Sequence, residues 1–388
     1  MFDLSWLDLR KFVSPEFVFG KGALSLTGRY ANNIGASKVL VVSGKNVIRL
    51  GWTGKVIKSL EENGLQYSIF SNVTPNPTCE QVMEGAEVYH KEDCDAIVVV
   101  GGGSPIDCAK GIGIVSANRK NILDFVGVDR IPVPGPPLIC VPTTAGTSAD
   151  VSQFAIITDT KEKVKTALVS KLLVPDTSLV DPDTTVTMPA DLTANTGMDA
   201  FTHAIEAFVS NASSPITDMF ALNAMQLIPK NLISAIHNPT NMEFRGKMML
   251  ASLDAGLAFS NASLGLVHAM AHSLGGQIDL PHGESNAILL PLVIEFNYDA
   301  VPGRYETIGE TIGLDLKGLS YDEKKALIIN AIKKIQEEAG VTQKLGELGV
   351  TKGVIPELAR KAMKDACMAT NPRTATLEDV IAIYEEAR

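Results

Sequence analysis

Residues 98–114 read VVVGGGSPIDCAKGIGI. The apolar run AIVVV, residues 96–100, ends at three consecutive glycines, Gly101, Gly102 and Gly103. Such a run suits a strand covered on both faces, as in a parallel sheet. Ser104 and Pro105 then open a helical pattern. Glycine lets a backbone approach a ligand closely, and the free N–H groups of a helix start attract phosphate. Ser104 is expected to cap that helix, Pro105 to fill its first position and Asp107 to lie in its first turn. The turn reads as a seat for a dinucleotide pyrophosphate. It is not GxGxxG, and no Gly-Lys-Ser/Thr follows to make a P-loop. A tight strand-to-helix turn without a ligand would explain it too.

The rest of the first half has the same texture. Further strands are expected at 17–19, 38–42, 67–70, 138–141, 154–158 and 178–181. Helical patterns lie between them at 46–63, 79–92 and 104–116. Alternating β and α argues for an open α/β domain. After Met188-Pro189 the strand signal stops, and 3.6-residue periods run through 190–209, 215–236, 242–260, 263–273, 321–338, 353–368 and 376–387. Pro189 is expected in the first turn of the first of these helices. In 321–338, Leu327, Ala331, Ile332 and Ile335 form the expected apolar stripe. The expected organisation is an α/β dinucleotide-binding domain, 1–187, followed by an all-helical domain, 188–388.

Composition narrows the function classes. The 388 residues carry 34 Lys+Arg against 44 Asp+Glu, a formal net charge of -10. An acidic chain repels a phosphate backbone, so no nucleic-acid partner is expected; Lys161, Lys163 and Lys165 make only a short cluster. No run approaches the ~18–20 apolar residues of a membrane span, and the most apolar stretch, Ala287–Ile294, is interrupted by Pro291. The N-terminal MFDLSWLDLRKF lacks the pattern of a signal peptide. Five scattered cysteines (79, 94, 108, 140, 367), with no CxxC, fit a reducing cytoplasm and argue against a disulfide scaffold or a cysteine zinc site.

Two further clusters carry chemistry. VPTTAGTSAD, 141–150, places Thr143, Thr144, Thr147 and Ser148 around Gly146 after a short strand. Its hydroxyls could bind sugar or phosphate oxygens, or only bond the local backbone. The other cluster gathers four of the six histidines. Asp199 and His203 share a helix face by i, i+4 spacing, as do His268 and His272, while His282 is expected in a loop within PHGESNA. One carboxylate with several imidazoles suits a divalent first-row metal, iron or zinc. Five candidates exceed a four-ligand site, and spacing does not say which histidine stands outside it. His90 and His237 are read as ordinary packed or capping residues.

The motifs together resemble the iron-containing (group III) alcohol dehydrogenases, in a pattern similar to lactaldehyde reductase and the 1,3-propanediol dehydrogenases. They run in order through FVFGKGAL (17–24), PNPT (75–78), GGGSPIDCAK (101–110), PTTAGTSADV (142–151), LVDP (179–182), TGMDAFTHAIE (196–206), GLVHAMAHSLGG (265–276), PHGESNAILLP (281–291) and NPRTATLEDV (371–380). The resemblance implies a dehydroquinate synthase-like architecture, with an N-terminal dinucleotide-binding α/β domain and an all-α C-terminal domain. It implies Asp199, His203, His268 and His282 as ligands of Fe(II), or zinc, with His272 as the extra, catalytic histidine. It implies dinucleotide contacts from Gly102, Gly103, Ser104, Thr143, Thr144 and Thr147, and from Asn76, Lys165 and Leu179. Phe154 and Phe259 resemble pocket-lining positions.

Two departures from the family pattern stand out. Many NAD-preferring members carry an acidic residue after the strand that here reads KVLVVSGKN, where it accepts the ribose 2′-hydroxyl and repels a 2′-phosphate. This chain has Gly44 there, followed by Lys45, so NADP is expected to be tolerated or preferred over NAD. Asp150 stands where glutamate is common. The implied chemistry is hydride transfer between a small alcohol or diol and nicotinamide C4. The metal serves as Lewis acid, and His272 relays the proton. Dehydroquinate synthase-like or metallohydrolase chemistry at the same site is the alternative. The expected partners are a small-molecule alcohol or aldehyde and further copies of the chain in a cytoplasmic homo-oligomer.

Overall fold

The computed structural model describes residues 8–388, so most of the N-terminal segment read above lies outside the described residues. The chain divides into two compact units. One comprises Val13–Met188 with Thr240–Met249; the other comprises Pro189–Pro239 and Leu250–Arg388, with 8–12. A single cut between 187 and 188 therefore misplaces Thr240–Met249.

The first unit holds strands β1 (Glu16–Phe19), β2 (Lys38–Ser43), β3 (Gln66–Phe70), β4 (Ala96–Gly101), β5 (Gly127–Val128), β6 (Leu138–Pro142), β7 (Phe154–Asp159), β8 (Val164–Val169) and β9 (Thr177–Val180). Its helices are α1 (Thr27–Asn33), α2 (Lys45–Arg49), α3 (Trp52–Glu62), α4 (Cys79–Lys91) and α5 (Gly103–Asn118). Six strands form a parallel sheet in the order β1-β9-β6-β4-β2-β3. Strand β4 is buried along its whole length. Ile97 and Val99 enter one core; Ala96, Val98 and Val100 enter the other. That is the two-unit side-chain period of a strand covered on both faces. From β2 the chain passes to β3 on one side and returns to β4 on the other. The carboxyl ends of β2 and β4 thus flank the point where strand order reverses, where open α/β sheets bind ligands.

Several expected elements change on inspection. The pattern at 46–63 is two helices, broken at Gly51, whose φ of +87° lies in the left-handed region open to glycine. Helix α5 is capped by Gly102, so Ser104 is not the cap, Pro105 is its third residue and not its first, and Asp107 lies beyond its first turn. Strand β8 went unread because Lys161 and Lys163 before it and Lys165 within it resemble a loop. It pairs antiparallel with β7, and Lys165 on it is buried. Lys110 is also buried; its Nζ donates to the carbonyls of Ser152 and Phe154, both at 2.7 Å, tying α5 to the start of β7.

The second unit is helical: α6 (Ala190–Val209), α7 (Pro215–His237), the later half of α8 (Met242–Ala262), α9 (Leu266–Ile278), α10 (His282–Asn297), α11 (Pro302–Thr311), α12 (Tyr321–Glu338), α13 (Ile355–Ala362) and α14 (Leu377–Ala387). Among the described residues no strand follows Val180. Pro189 is the extended N-cap of α6 and not a first-turn residue. The pattern at 353–368 resolves into a 3₁₀ turn, α13 and a second 3₁₀ turn, Ala366–Thr370. In α12 the buried stripe is Ile328, Ile329 and Ile332, whereas Leu327 is 37% exposed. All five cysteines are buried and free. No single helix is long and apolar enough to cross a membrane; α8 and α9 pass that test only as a pair bent by 100°.

Candidate metal and dinucleotide sites

Three helices of the helical unit bring four side chains together. Asp199 and His203 lie one turn apart on α6, His268 is on α9 and His282 is the first residue of α10. The expected loop at His282 is therefore a helix start. The opening turn of a helix has N–H groups without intrahelical partners, so it accommodates Pro281 just before it. Gly283 explains the glycine in PHG: a Cβ there would lie 2.2 Å from the Asn195 carbonyl oxygen. Only a bare backbone lets α10 press this closely on α6 and carry His282 to Asp199.

Asp199 Oδ1 lies 3.8 Å from His203 Nε2, 3.7 Å from His268 Nε2 and 3.8 Å from His282 Nε2. Bonds of ~2.1 Å to one tetrahedral ion would separate its ligands by roughly 3.4 Å, so this spacing is close to that of a ligand shell. The donors also converge. The Asn286 amide nitrogen, one turn after His282, sits 2.7 Å from Asp199 Oδ1, 3.1 Å from His268 Nε2 and 3.2 Å from His282 Nε2. Three acceptor atoms aimed at one electropositive group form a donor set that fits a divalent cation. Burial would raise the Asp199 carboxyl, but the imidazoles around it, His203 foremost, outweigh this and hold it far below the usual carboxylate range.

Two carboxylates absent from the sequence reading orient the histidines. Glu206, on α6, approaches His268 Nδ1 at 2.5 Å and accepts the Val267 N–H at 2.7 Å with its other oxygen. This leaves His268 Nε2 for the ligand centre, the usual role of a carboxylate behind a metal-bound imidazole. Burial alone would lower the His268 imidazole, but Asp199 and Glu206 lift it to about 9. Asp365 approaches His272 Nδ1 at 2.8 Å. No contact joins His272 to Asp199 as it does the other three histidines. Phe259 stacks on His203, with ring centroids 4.3 Å apart.

In the α/β unit the two polar loops meet. A Cβ on Gly102 would lie 3.0 Å from the Thr144 side chain, and one on Gly103 equally close to Thr147. The Thr143 N–H donates to the Gly101 carbonyl at 2.9 Å. The Thr144 hydroxyl is buried with no hydrogen-bond partner. A glycine-floored cradle beside an unused hydroxyl and the start of α5 fits a pyrophosphate. Asn76 joins this group, since its left-handed backbone (φ 57°) donates N–H to Ser104 Oγ at 3.2 Å. Gly44 caps α2 at the end of β2; a Cβ there would meet only Pro105, at 3.8 Å. Lys165 and the half-buried Asp107 are coupled: burial pushes the Asp107 carboxyl up to about 7, against the pull of Lys110 and Lys165. Leu179 is fully buried among the sheet's side chains and packs there. Phe154 is buried at the start of β7.

Comparison with known proteins shows the family. The sequence profile of iron-containing alcohol dehydrogenases matches residues 14–182, and that of the C-terminal part of the Fe-containing alcohol dehydrogenase family matches 193–388. The chain belongs to the iron-containing alcohol dehydrogenase family. It is 42% identical to 1,3-propanediol dehydrogenase of Citrobacter freundii over 371 residues, covering 95% of this chain and 96% of that one. It is 39% identical to NAD-dependent methanol dehydrogenase of Bacillus methanolicus over 376 residues, covering 97% and 99%. A crystal structure of 1,3-propanediol oxidoreductase superimposes with a TM-score of 0.95 at 40% identity, covering 98% of this chain and 100% of that one. The alternatives of a metallohydrolase or a dehydroquinate synthase-like enzyme find no support in these relatives.

Other motifs of this iron-containing dehydrogenase turn out to be structural. Asp181 of LVDP accepts the N–H groups of Gly22 (3.0 Å) and Leu24 (3.1 Å), which joins it to FVFGKGAL. Asn371 of NPRTATLEDV accepts the Leu266 N–H at 3.1 Å and so caps α9, the helix that carries His268 and His272. Thr78 of PNPT caps α4 in a reciprocal box with Gln81. Asp150 is buried and accepts the Ser178 hydroxyl at 2.6 Å, a packing role for the departed position.

Proposed function

We propose that the chain is a metal-dependent, nicotinamide-linked alcohol dehydrogenase and aldehyde reductase acting on a small alcohol or diol. The observation that carries this reading is Asp199 Oδ1 standing 3.7–3.8 Å from three imidazole nitrogens in a chain that also has the glycine cradle. Asp199, His203, His268 and His282 would hold Fe(II) or zinc; Gly102, Gly103, Ser104, Thr143, Thr144 and Thr147, with Asn76 and Lys165, would hold the dinucleotide. When bound, the metal polarises the alcohol or carbonyl oxygen and the nicotinamide exchanges a hydride with the carbon that bears it. Glu206 keeps His268 Nε2 directed at the ligand centre. His272 takes up the hydroxyl proton in oxidation and returns one in reduction. Phe259 gives the substrate an apolar wall beside His203.

Gly44 leaves the end of β2 without the carboxylate that would repel a 2′-phosphate, and Lys45 adds a cation beside it. NADP is therefore accepted alongside NAD, or in preference to it. We also read the chain as a cytoplasmic homo-oligomer with no nucleic-acid or membrane partner; its acidic charge supports the absence of a nucleic-acid partner and its free thiols the reducing compartment. Anaerobic purification with elemental analysis, followed by short alcohols, diols and aldehydes assayed with both dinucleotides, tests the function. Turnover with iron or zinc bound is expected; nucleotide binding without redox turnover refutes it. No use of NADPH refutes the cofactor reading, and light scattering tests the assembly.

A further inference from the structure

His268 and His272 lie one turn apart on α9, yet their rings are held for different tasks. Each Nδ1 meets a buried carboxylate, Glu206 at 2.5 Å and Asp365 at 2.8 Å. The His268 Nε2 then faces Asp199, at 3.7 Å. The His272 ring stacks nearly parallel on His282, centroids 5.3 Å apart, beside the ligand group but without a contact to Asp199. Asp365 stands just before the 3₁₀ turn Ala366–Thr370, and its second oxygen accepts the Cys367 N–H at 2.8 Å. Cys367, Asp365 and His272 come within 4.8 Å of one another. Both carboxylate oxygens are nonetheless committed to hydrogen bonds, so the trio reads as an orienting device and not as a second ion site.

An ionised carboxylate only accepts hydrogen bonds, so Nδ1 of His272 must carry the hydrogen. We propose that Asp365 is a positioning residue that fixes His272 as the Nδ1–H tautomer and presents the Nε2 lone pair as the proton acceptor. This rests on the dehydrogenase reading above. In alcohol oxidation the substrate O–H bond breaks, its proton goes to Nε2 directly or through one water, and the hydride leaves to the nicotinamide. The resulting imidazolium is held by Asp365 until its proton passes to solvent. Reduction runs the same transfers backwards.

The test uses the zinc-loaded full chain, labelled with ¹⁵N-histidine, with His272 assigned by its loss in H272N. The wild type should show His272 protonated at Nδ1. In D365N the single side-chain oxygen stays with the Cys367 N–H, and the amide NH₂ faces Nδ1. His272 should then switch to the Nε2–H tautomer, and kcat should fall roughly 10²–10⁴-fold, as expected when a base is held in the wrong tautomer. KM should stay within threefold and bound zinc should be unchanged. D365A, which imposes neither tautomer, should lose less. A wild-type His272 protonated at Nε2 overturns the proposal, as does a D365N variant that keeps the tautomer or stays within threefold in kcat. Should D365N fail to fold, the wild-type spectrum decides. Absence of any turnover by the wild type would refute the dehydrogenase reading and leave the spectral arm to judge Asp365 alone.

Discussion

At the scale of single residues, the decisive groups behind the site are carboxylates that imidazoles lean on. Glu206 accepts hydrogen bonds from His268 Nδ1 and the Val267 N–H. Replacing it by glutamine removes the charge behind the ring. Glu206→Gln should weaken zinc binding about 10–100-fold, as for other residues that orient metal-bound histidines; competition against a fluorescent chelator measures it. Asp254 makes a different case. It is buried on α8, bonded at 2.6 Å to Asn223, and burial pushes its carboxyl up to about 6. The folded state therefore binds this proton more tightly than the unfolded chain does. Stability falls as pH rises from about 4 to about 6, and the penalty persists above that. Asp254→Asn should be nearly neutral at pH 4 and stabilising by about 1–3 kcal/mol at pH 8. Melting curves at the two values check the sign; an equal effect at both removes the argument.

At the scale of elements, α10 shows what sequence patterns hide. Pro281 stands just before it, Gly283 and Ser285 lie in its first turn and Pro291 stands inside it, so it reads as a loop followed by a broken apolar run. Tertiary packing decides otherwise, because α10 lies along α6 only where Gly283 has no side chain. Gly283→Ala should move His282 away from Asp199, cost about 1–3 kcal/mol of stability as overpacking does and lower bound metal in the purified protein. Retention of full metal with an unchanged melting temperature would contradict this account. By contrast, β4 and α5 were legible because every cue agrees: an apolar run, glycines, then a helical period. Strand β8 was not, since Lys165 and the two lysines before it look exposed and only pairing with β7 reveals it.

At the scale of the whole molecule, chemistry within one element is legible in the sequence and chemistry between distant elements is not. The i, i+4 pair Asp199 and His203 is visible in the sequence because one helix face holds both. The pair His272 and Asp365, separated by 93 positions, exists only after α9 and the Ala366–Thr370 turn are packed. The change from strand to helix texture near 188 is legible in the sequence, whereas the return of Thr240–Met249 to the α/β unit is not. Stability also belongs to this scale. A ligand that binds only the folded chain stabilises it by about 2.7 kcal/mol at one hundred times its Kd. Zinc at that excess should raise the melting temperature, a chelator should reverse the gain, and H268A should abolish it. A zinc-independent melting temperature would argue against a folded-state metal site.

The five buried thiols have a practical consequence. A thiol without solvent access is inert to alkylating dyes. The natural sequence therefore offers a low background for spin or fluorophore labelling, with Cys79 and Cys94 keeping 7–8% of their surface and the other three cysteines at most 1%. A cysteine introduced at an exposed position such as Ile216 or Met219 on α7 would take up one equivalent of maleimide, and none of the native five would need to be removed first.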